Sequence, residues 1–152
     1  MTPPVKPVNM IRAVWKGDRR YDTGRVGQPP ARIDGSGETG QSPPDALLSA
    51  LATCTAMDVV DILAKRRTPA TALEVEVVGG RRATHPRRFM AIDVVFHVTG
   101  PDVERSQAER AVALSLERYC TVASSLAPDI VVQSVVVLNG ERGETVEATI
   151  GR

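Results

Sequence analysis

Two cysteines, Cys54 and Cys120, are the side chains of this 152-residue sequence that are best suited to nucleophilic or redox chemistry. Cys54 lies in the middle of a long apolar stretch, and Cys120 follows Tyr119. A thiolate is a strong nucleophile, and its reactivity depends on a nearby cation or oriented hydrogen-bond donor. We therefore consider a catalytic, a redox or a merely buried role for each cysteine.

Other groups that could carry chemistry have weaker support. A single cysteine in an apolar helix is most often an inert core residue. The two histidines, His85 and His97, are far apart in the sequence, so neither a metal site nor a cysteine–histidine hydrolase is expected. Asp58 and Asp61 share a helical side with Cys54, and we expect them to cap or to pair with arginines rather than to act in catalysis.

The stretch from Ser42 to Arg67 predicts one long helix that positions Cys54. Ser42 is suited to its cap, two prolines follow in the first turn, and Pro69 prevents much continuation. Apolar residues occupy nearly the whole circumference, which predicts burial on all sides. Asp58 and Asp61 interrupt the apolar run, so we expect no membrane span.

The remaining pattern predicts an α+β fold, an antiparallel sheet around a long buried central helix. Residues 1–9 are expected to be a flexible N-terminal segment, 10–138 a single domain, and 139–152 a C-terminal tail or edge strand. A flexible loop is predicted over 35–41, before the central helix. The predicted strands are 10–16, 20–25, 29–34, 72–82, 88–99 and 130–138, and the predicted helices after the central one are 102–119 and 121–127. Because so few elements cannot cover the central helix, we expect a tight homodimer.

Charge and composition bear on partners and location. The net charge is +1, and two Phe, two Tyr and one Trp give no stacking platform, so nucleic acid is not an expected partner. The opening MTPPVKPV lacks the apolar core of a signal peptide. A cytoplasmic location with no membrane partner is expected, and there a permanent disulfide is unusual.

Two segments resemble the OsmC/Ohr family, the osmotically inducible protein C and organic hydroperoxide resistance proteins. They are SPPDALLSALATCTAMDVVDIL, which contains Cys54, and ERYCTVASSL, which contains Cys120. The resemblance covers roughly residues 10–138 and looks closest to an OsmC-like branch that carries CTAMDVV. It implies an intertwined homodimer whose active sites lie near the subunit boundary.

The family resemblance also implies a function. Members reduce organic hydroperoxides through two cysteines, without a metal or bound cofactor, in defence against oxidative stress. By this resemblance Cys54 is the peroxidatic cysteine and Cys120 is the resolving one. A sulfenic acid formed on the first thiol condenses with the second to a disulfide, which a thiol reductant then reduces.

The family further implies an activating arginine held by a carboxylate at the start of the central helix. Arg32 is the best match to that arginine, and Arg19 is its rival. The carboxylate position, ten residues before Cys54, is occupied by Pro44, with Asp45 next to it. One residue turns a helical side chain by about 100°, so Asp45 is a poor substitute.

Two hypotheses from different classes follow. The first is a cytoplasmic, homodimeric, thiol-dependent peroxidase acting on organic hydroperoxides, an oxidoreductase with redox-active cysteines. The second is a non-catalytic dimeric OsmC-like protein that binds a small hydrophobic ligand near Cys54. Oxidation of Cys54 by a hydroperoxide distinguishes the two.

Overall fold

The computed structural model describes residues 2–3 and 8–150, and the chain divides into two compact units, Met1–Leu47 and Leu48–Arg152. The expected flexible segment, residues 1–9, falls largely outside the described residues, as do the last two residues of the expected tail. The expectation of a single domain over 10–138 stays a prediction. Each unit is described by itself.

The first unit is a three-stranded antiparallel sheet in the order β1-β2-β3. The strands are β1 Arg12–Trp15, β2 Arg20–Gly24 and β3 Ala31–Asp34. Gly17 and Asp18 adopt positive φ angles of 94° and 48° between β1 and β2, a conformation that these two residue types accommodate. The three predicted strands are confirmed, with shorter ends.

Asp34 organises the loop that the sequence led us to expect as flexible. Its side chain is almost fully buried and accepts hydrogen bonds from the Ser36 amide at 2.8 Å, the Thr39 amide at 3.0 Å and the Thr39 hydroxyl at 2.7 Å. These bonds, the hydroxyl's first, lower the pKa of Asp34 to about 2. One carboxylate at the end of the strand thus satisfies several hydrogen-bond donors of the loop, which the sequence pattern did not indicate.

Helix α1, Pro43–Lys65, is the predicted central helix. Its start is supported by the Ser42 hydroxyl, which accepts a hydrogen bond from the Asp45 amide at 3.3 Å. Only one stripe, at intervals of four residues, is fully buried: Leu51, Thr55, Val59 and Leu63. The expectation of burial on all sides is therefore not met within one chain.

Helix α1 is long and apolar enough to cross a membrane by length and composition, with a mean hydropathy of 1.7 over its most apolar window. The two aspartates, Asp58 and Asp61, therefore do not exclude a span by hydropathy, contrary to the sequence argument. Core helices of globular proteins pass the same test. The buried stripe that α1 contributes to the apolar core is typical of such a core helix.

The second unit contains a five-stranded sheet built on β4 Ala72–Arg81, β5 Phe89–Thr99 and β6 Val131–Leu138. Strands β4 and β5 pair antiparallel, as predicted. Strands β5 and β6 pair in parallel, which corrects the expectation of a wholly antiparallel sheet. The connection through a helix returns the chain in the same direction, and such crossovers give parallel neighbours.

The C-terminal residues continue this sheet. Strands β7, Glu141–Arg142, and β8, Val146–Ala148, both pair antiparallel with β6. The sequence led us to expect either an edge strand or a loose tail over 139–152. The part that the structure covers contains edge strands.

The predicted second helix has two geometries. It runs as helix α2 over Arg105–Leu114 and then as a π-helical turn over Ser115–Tyr119, followed by the short helix α3, Thr121–Ser125. The core of the unit lies between these helices, α1 and the sheet, with Phe96, Ile92 and Leu116 among its largest fully buried side chains. The π-helical turn delivers Cys120 to this core.

Candidate active site

Cys54 and Cys120 differ in their access to solvent. Cys54 precedes the fully buried Thr55 on α1, and this position at the edge of the buried stripe leaves its side chain half-buried. Cys120 caps the start of α3 and is completely buried. A reagent in solution therefore reaches Cys54 and not Cys120.

The structure brings the two cysteines together as neighbouring free thiols. Burial raises the pKa of the Cys120 thiol to about 12, and the neighbouring Cys54 thiol adds to the rise, while the Ala123 amide opposes it. Desolvation is the main cause, because it disfavours the charged thiolate.

The π-helical turn fixes the backbone of Cys120. Its amide donates to the Ser115 carbonyl oxygen at 2.8 Å, the five-residue hydrogen bond of a π-helix. The Cys120 sulfur accepts a hydrogen bond from the Ala123 amide at 3.3 Å. The cysteine is therefore held from both sides by the backbone of adjoining helical turns.

A second contact joins α1 to the π-helical turn. The hydroxyl of the fully buried Ser115 donates to Asp58 Oδ2 at 2.8 Å. The expectation that Asp58 caps or pairs with an arginine thus misses its serine partner. The four-residue spacing of Cys54 and Asp58 was visible in the sequence, whereas nothing there signalled Ser115.

Arg32 lies on β3 in the first unit, where Asp22 of β2 stands directly opposite it. The Arg32 Nε donates to Asp22 Oδ1 at 2.7 Å, and a weaker bond of 3.4 Å reaches the Thr39 hydroxyl. The ion pair lowers the pKa of the Asp22 carboxyl and raises that of the Arg32 guanidinium. Because the cysteines belong to the second unit, activation of Cys54 by Arg32 stays a prediction.

The carboxylate that holds Arg32 is therefore a cross-strand neighbour that the sequence argument did not consider. Pro44 lies in the first turn of α1, and the side chain of Asp45 is exposed. Arg19, the rival arginine, is exposed, and its carbonyl oxygen accepts a hydrogen bond from the Gly35 amide at 2.9 Å. The anionic partner that the structure shows for Arg32 is thus Asp22 of the neighbouring strand.

Among the described residues, 2–3 and 8–150, no group of three or more His, Cys, Asp and Glu side chains could hold a metal ion. The two cysteines thus lie next to each other, and the hydrogen bond between Ser115 and Asp58 lies nearby. A pair of adjacent thiols with unequal exposure is suited to thiol–disulfide chemistry.

Residues 35–135 match the OsmC-like protein family, two thirds of the chain, which therefore belongs to that family. Escherichia coli protein YhfA is 43% identical over 95 residues, which are 62% of this chain and 71% of YhfA.

Solved structures show the same fold. An OsmC-like protein from Mycoplasma pneumoniae superposes with a TM-score of 0.77 at 18% identity, covering 88% of this chain and 99% of the other. The organic hydroperoxide resistance protein OhrB of Bacillus subtilis superposes with a TM-score of 0.55 at 18% identity, covering 86% and 96%. The family and the α+β fold inferred from the sequence are confirmed.

We predict that the two thiols differ strongly in reactivity. The Cys54→Ser variant, which retains Cys120, is expected to react with a disulfide reagent at least about a hundredfold more slowly than the Cys120→Ser variant. Burial that raises the pKa of Cys120 to about 12 leaves very little of its reactive thiolate form near neutral pH. Stopped-flow absorbance measures both rates.

The pH dependence gives a further check on this prediction. Below its pKa the reaction of Cys120 should accelerate with every increase in pH and show no plateau through about pH 10. Equal rates for the two variants, or a plateau near pH 9 for Cys120, would contradict the burial and the raised pKa described above.

Proposed function

We propose that the protein is a thiol-dependent peroxidase that reduces organic hydroperoxides. Cys54 would be the peroxidatic cysteine and Cys120 the resolving cysteine. The observation that carries this proposal is that a half-buried thiol on α1 lies next to a fully buried thiol at the start of α3. The names of family relatives, among them an organic hydroperoxide resistance protein, support the same substrate class.

In the first step the Cys54 thiolate attacks one peroxide oxygen, and the oxygen–oxygen bond breaks. The alkoxide accepts a proton and leaves as the alcohol, while the sulfur becomes a sulfenic acid. Because Cys54 is half-buried at the edge of the core, a hydroperoxide can reach its sulfur from one side. Cys120 is inaccessible to the same substrate.

In the second step the Cys120 sulfur attacks the Cys54 sulfur, and the sulfur–oxygen bond breaks. The hydroxide leaves as water with the proton of the Cys120 thiol, and a disulfide remains. The raised pKa keeps that proton on Cys120 until this step. An external thiol reductant then restores both thiols and is itself oxidised.

Arg32 is the residue that we assign to activation of Cys54. A cation near the sulfur favours the thiolate, and Arg32 is held in a fixed orientation by Asp22 across the strand pair. The carbonyl oxygen of Arg19 accepts a hydrogen bond from the Gly35 amide in the loop after β3.

The active form is proposed to be a cytoplasmic homodimer. Large apolar side chains are exposed in both units, among them Ile11, 60%, and Trp15, 64%, in the first and Met57, 65%, in the second. Met57 lies with Thr53, Ala56, Val60, Asp61 and Leu73 around an open, mainly apolar concavity of about 460 Å³ on α1. Apolar patches of this kind mark interfaces, and a second copy of the chain would cover the exposed side of α1.

This apolar concavity is also the feature that favours the alternative, a dimeric protein that binds a small hydrophobic ligand near Cys54. Thr53 and Met57 flank Cys54 along α1. Failure of either thiol to be oxidised by a hydroperoxide, together with ligand binding, would favour this second function.

We predict different outcomes for the two cysteine variants when each is treated with cumene hydroperoxide. Cys54→Ser should abolish peroxide consumption. Cys120→Ser should allow one turnover, after which Cys54 remains a sulfenic acid and advances to sulfinic acid under excess peroxide. Mass spectrometry of each variant identifies the product. Sulfenic acid on Cys120 in the Cys54→Ser protein, formed at an undiminished rate, would reverse the two roles.

We predict that Arg32→Gln slows oxidation of Cys54 roughly 10- to 100-fold, because a hydrogen bond to a charged group contributes about 1.5–3 kcal/mol. Asp22→Asn should slow it less, since the guanidinium remains. Single-turnover stopped-flow kinetics with a hydroperoxide measures the rate. Arg19→Gln is the matched control, and a loss confined to that variant would transfer the activating role to Arg19.

We predict a dimer at micromolar concentration in sedimentation velocity. Met57→Asp places a charge in the apolar patch of α1 and should dissociate the dimer or raise its dissociation constant by at least about a hundredfold, as burial of an unpaired charge is costly. Ala83→Asp, at an exposed position between β4 and β5, is the control. A stable folded monomer of the unaltered protein would refute the dimer.

A further inference from the structure

Helix α1 and the π-helical turn approach each other at two levels. The two levels are about one helical turn apart along α1 and also along the π-helical turn. At one level the Cys54 and Cys120 thiols are neighbours. At the next level Asp58 accepts a hydrogen bond from Ser115 at 2.8 Å. The redox pair and the polar pair therefore share the same two pieces of backbone.

On α1 the pairing follows from ordinary helix geometry. Residues four apart lie on the same face of an α-helix, so Cys54 and Asp58 point in the same direction. The position of Asp58 along α1 is consequently coupled to that of the Cys54 sulfur.

On the other side the pairing requires the π-helical turn. In an α-helix, residues five apart are rotated by about 500°, so Ser115 and Cys120 would point about 140° apart. The hydrogen bond from the Cys120 amide to the Ser115 carbonyl closes a wider turn, and this turn brings the two residues over one another. The irregular geometry of this segment thus matches a five-residue spacing to the four-residue spacing of α1.

The Asp58–Ser115 bond also has a well-defined geometry. Ser115 is completely buried, and Asp58 is half-buried beside it. A buried hydroxyl without a partner is costly, so the two segments cannot slide past each other without losing this bond. The contact acts as a fixed spacer one turn away from the sulfurs.

We propose that Asp58 and Ser115 are a positioning pair that sets the separation and orientation of the Cys54 and Cys120 sulfurs and thereby favours their disulfide. Neither residue touches the peroxide in this proposal. It rests on the proposed function only for its biological use, since formation of the disulfide can be measured without peroxide.

The test is the equilibrium with glutathione. Oxidised glutathione and the two protein thiols exchange to give the Cys54–Cys120 disulfide and two molecules of reduced glutathione, so that two electrons pass from the protein to glutathione. The equilibrium constant is the effective molarity of the thiol pair. Quantification of oxidised and reduced protein over a series of glutathione ratios yields it.

Asp58→Ala and Ser115→Ala are each expected to lower the effective molarity by about tenfold or more, the scale of one hydrogen bond to a charged group. The double variant should lose little beyond either single variant, because both remove the same bond. Asp58→Asn retains an acceptor for the Ser115 hydroxyl and should keep most of the effective molarity. Asp61→Ala, at an exposed position on α1 three residues after Asp58, is the matched control.

The measurement separates positioning from mere stabilisation. A purely structural contact stabilises the reduced and the disulfide forms equally, so its loss lowers the melting temperature and leaves the effective molarity unchanged. An effective molarity within about twofold of the unaltered protein in both alanine variants would overturn the proposal. Should Ser115→Ala not fold, the comparison of Asp58→Ala with Asp58→Asn decides in the same way.

The outcomes also distinguish this proposal from the proposed function. A protein that fails to reduce hydroperoxides but shows the expected loss in the Asp58 variants loses the peroxidase assignment and keeps the positioning pair. If the protein reduces hydroperoxides but the Asp58 variants have an unchanged effective molarity, the peroxidase assignment stands and the positioning pair is refuted.

Discussion

Burial of one stripe of α1 is the constraint on which the second unit and its thiol pair depend. Leu51, Thr55, Val59 and Leu63 fix the rotation of the helix about its axis, because all four are fully buried. This rotation also sets the direction of the Cys54 side chain. A shift of one residue, about 100°, would bury the side chain or turn it away from Cys120. The polar member Thr55 is accommodated because its hydroxyl donates to the Leu51 carbonyl oxygen at 3.0 Å within the helix. Core packing thus determines which thiol meets solvent.

Much of the fold could be predicted because its elements have strong local patterns. The alternation of Leu73, Val75 and Val77 with glutamates identified β4, and β5 was equally regular. The direction of β6 relative to β5 was predicted wrongly, because the hydrophobic pattern carries no information on strand partners. The π-helical turn was predicted as a continuation of α2, since the apolar spacing around Leu116 fits either geometry.

The site was predictable to a smaller extent. Cys54 and Cys120 were identified by the segments around them, and the structure brings them together. The partners of Asp58 and Arg32 were not identified, because Ser115 and Asp22 reach them through tertiary contacts that have no fixed sequence spacing. The position of Pro44 suggested a missing carboxylate, whereas the pairing of β2 with β3 provides Asp22 to Arg32. The ion pair of Arg32 thus follows from the register of β2 and β3, which the sequence pattern did not indicate.

Both thiols come from one chain, and this has a topological consequence. A bond between Cys54 and Cys120 would close a covalent ring through the backbone of β4, β5 and α2. Such a ring removes conformations from the unfolded chain, an effect of about 4 kcal/mol for a loop of this length in the chain-entropy account. The ring closes when the two sulfurs are oxidised to a disulfide, and it opens when they are reduced to thiols. In each catalytic cycle of the proposed kind, the chain therefore alternates between an open linear form and a form with one covalent loop and two free ends.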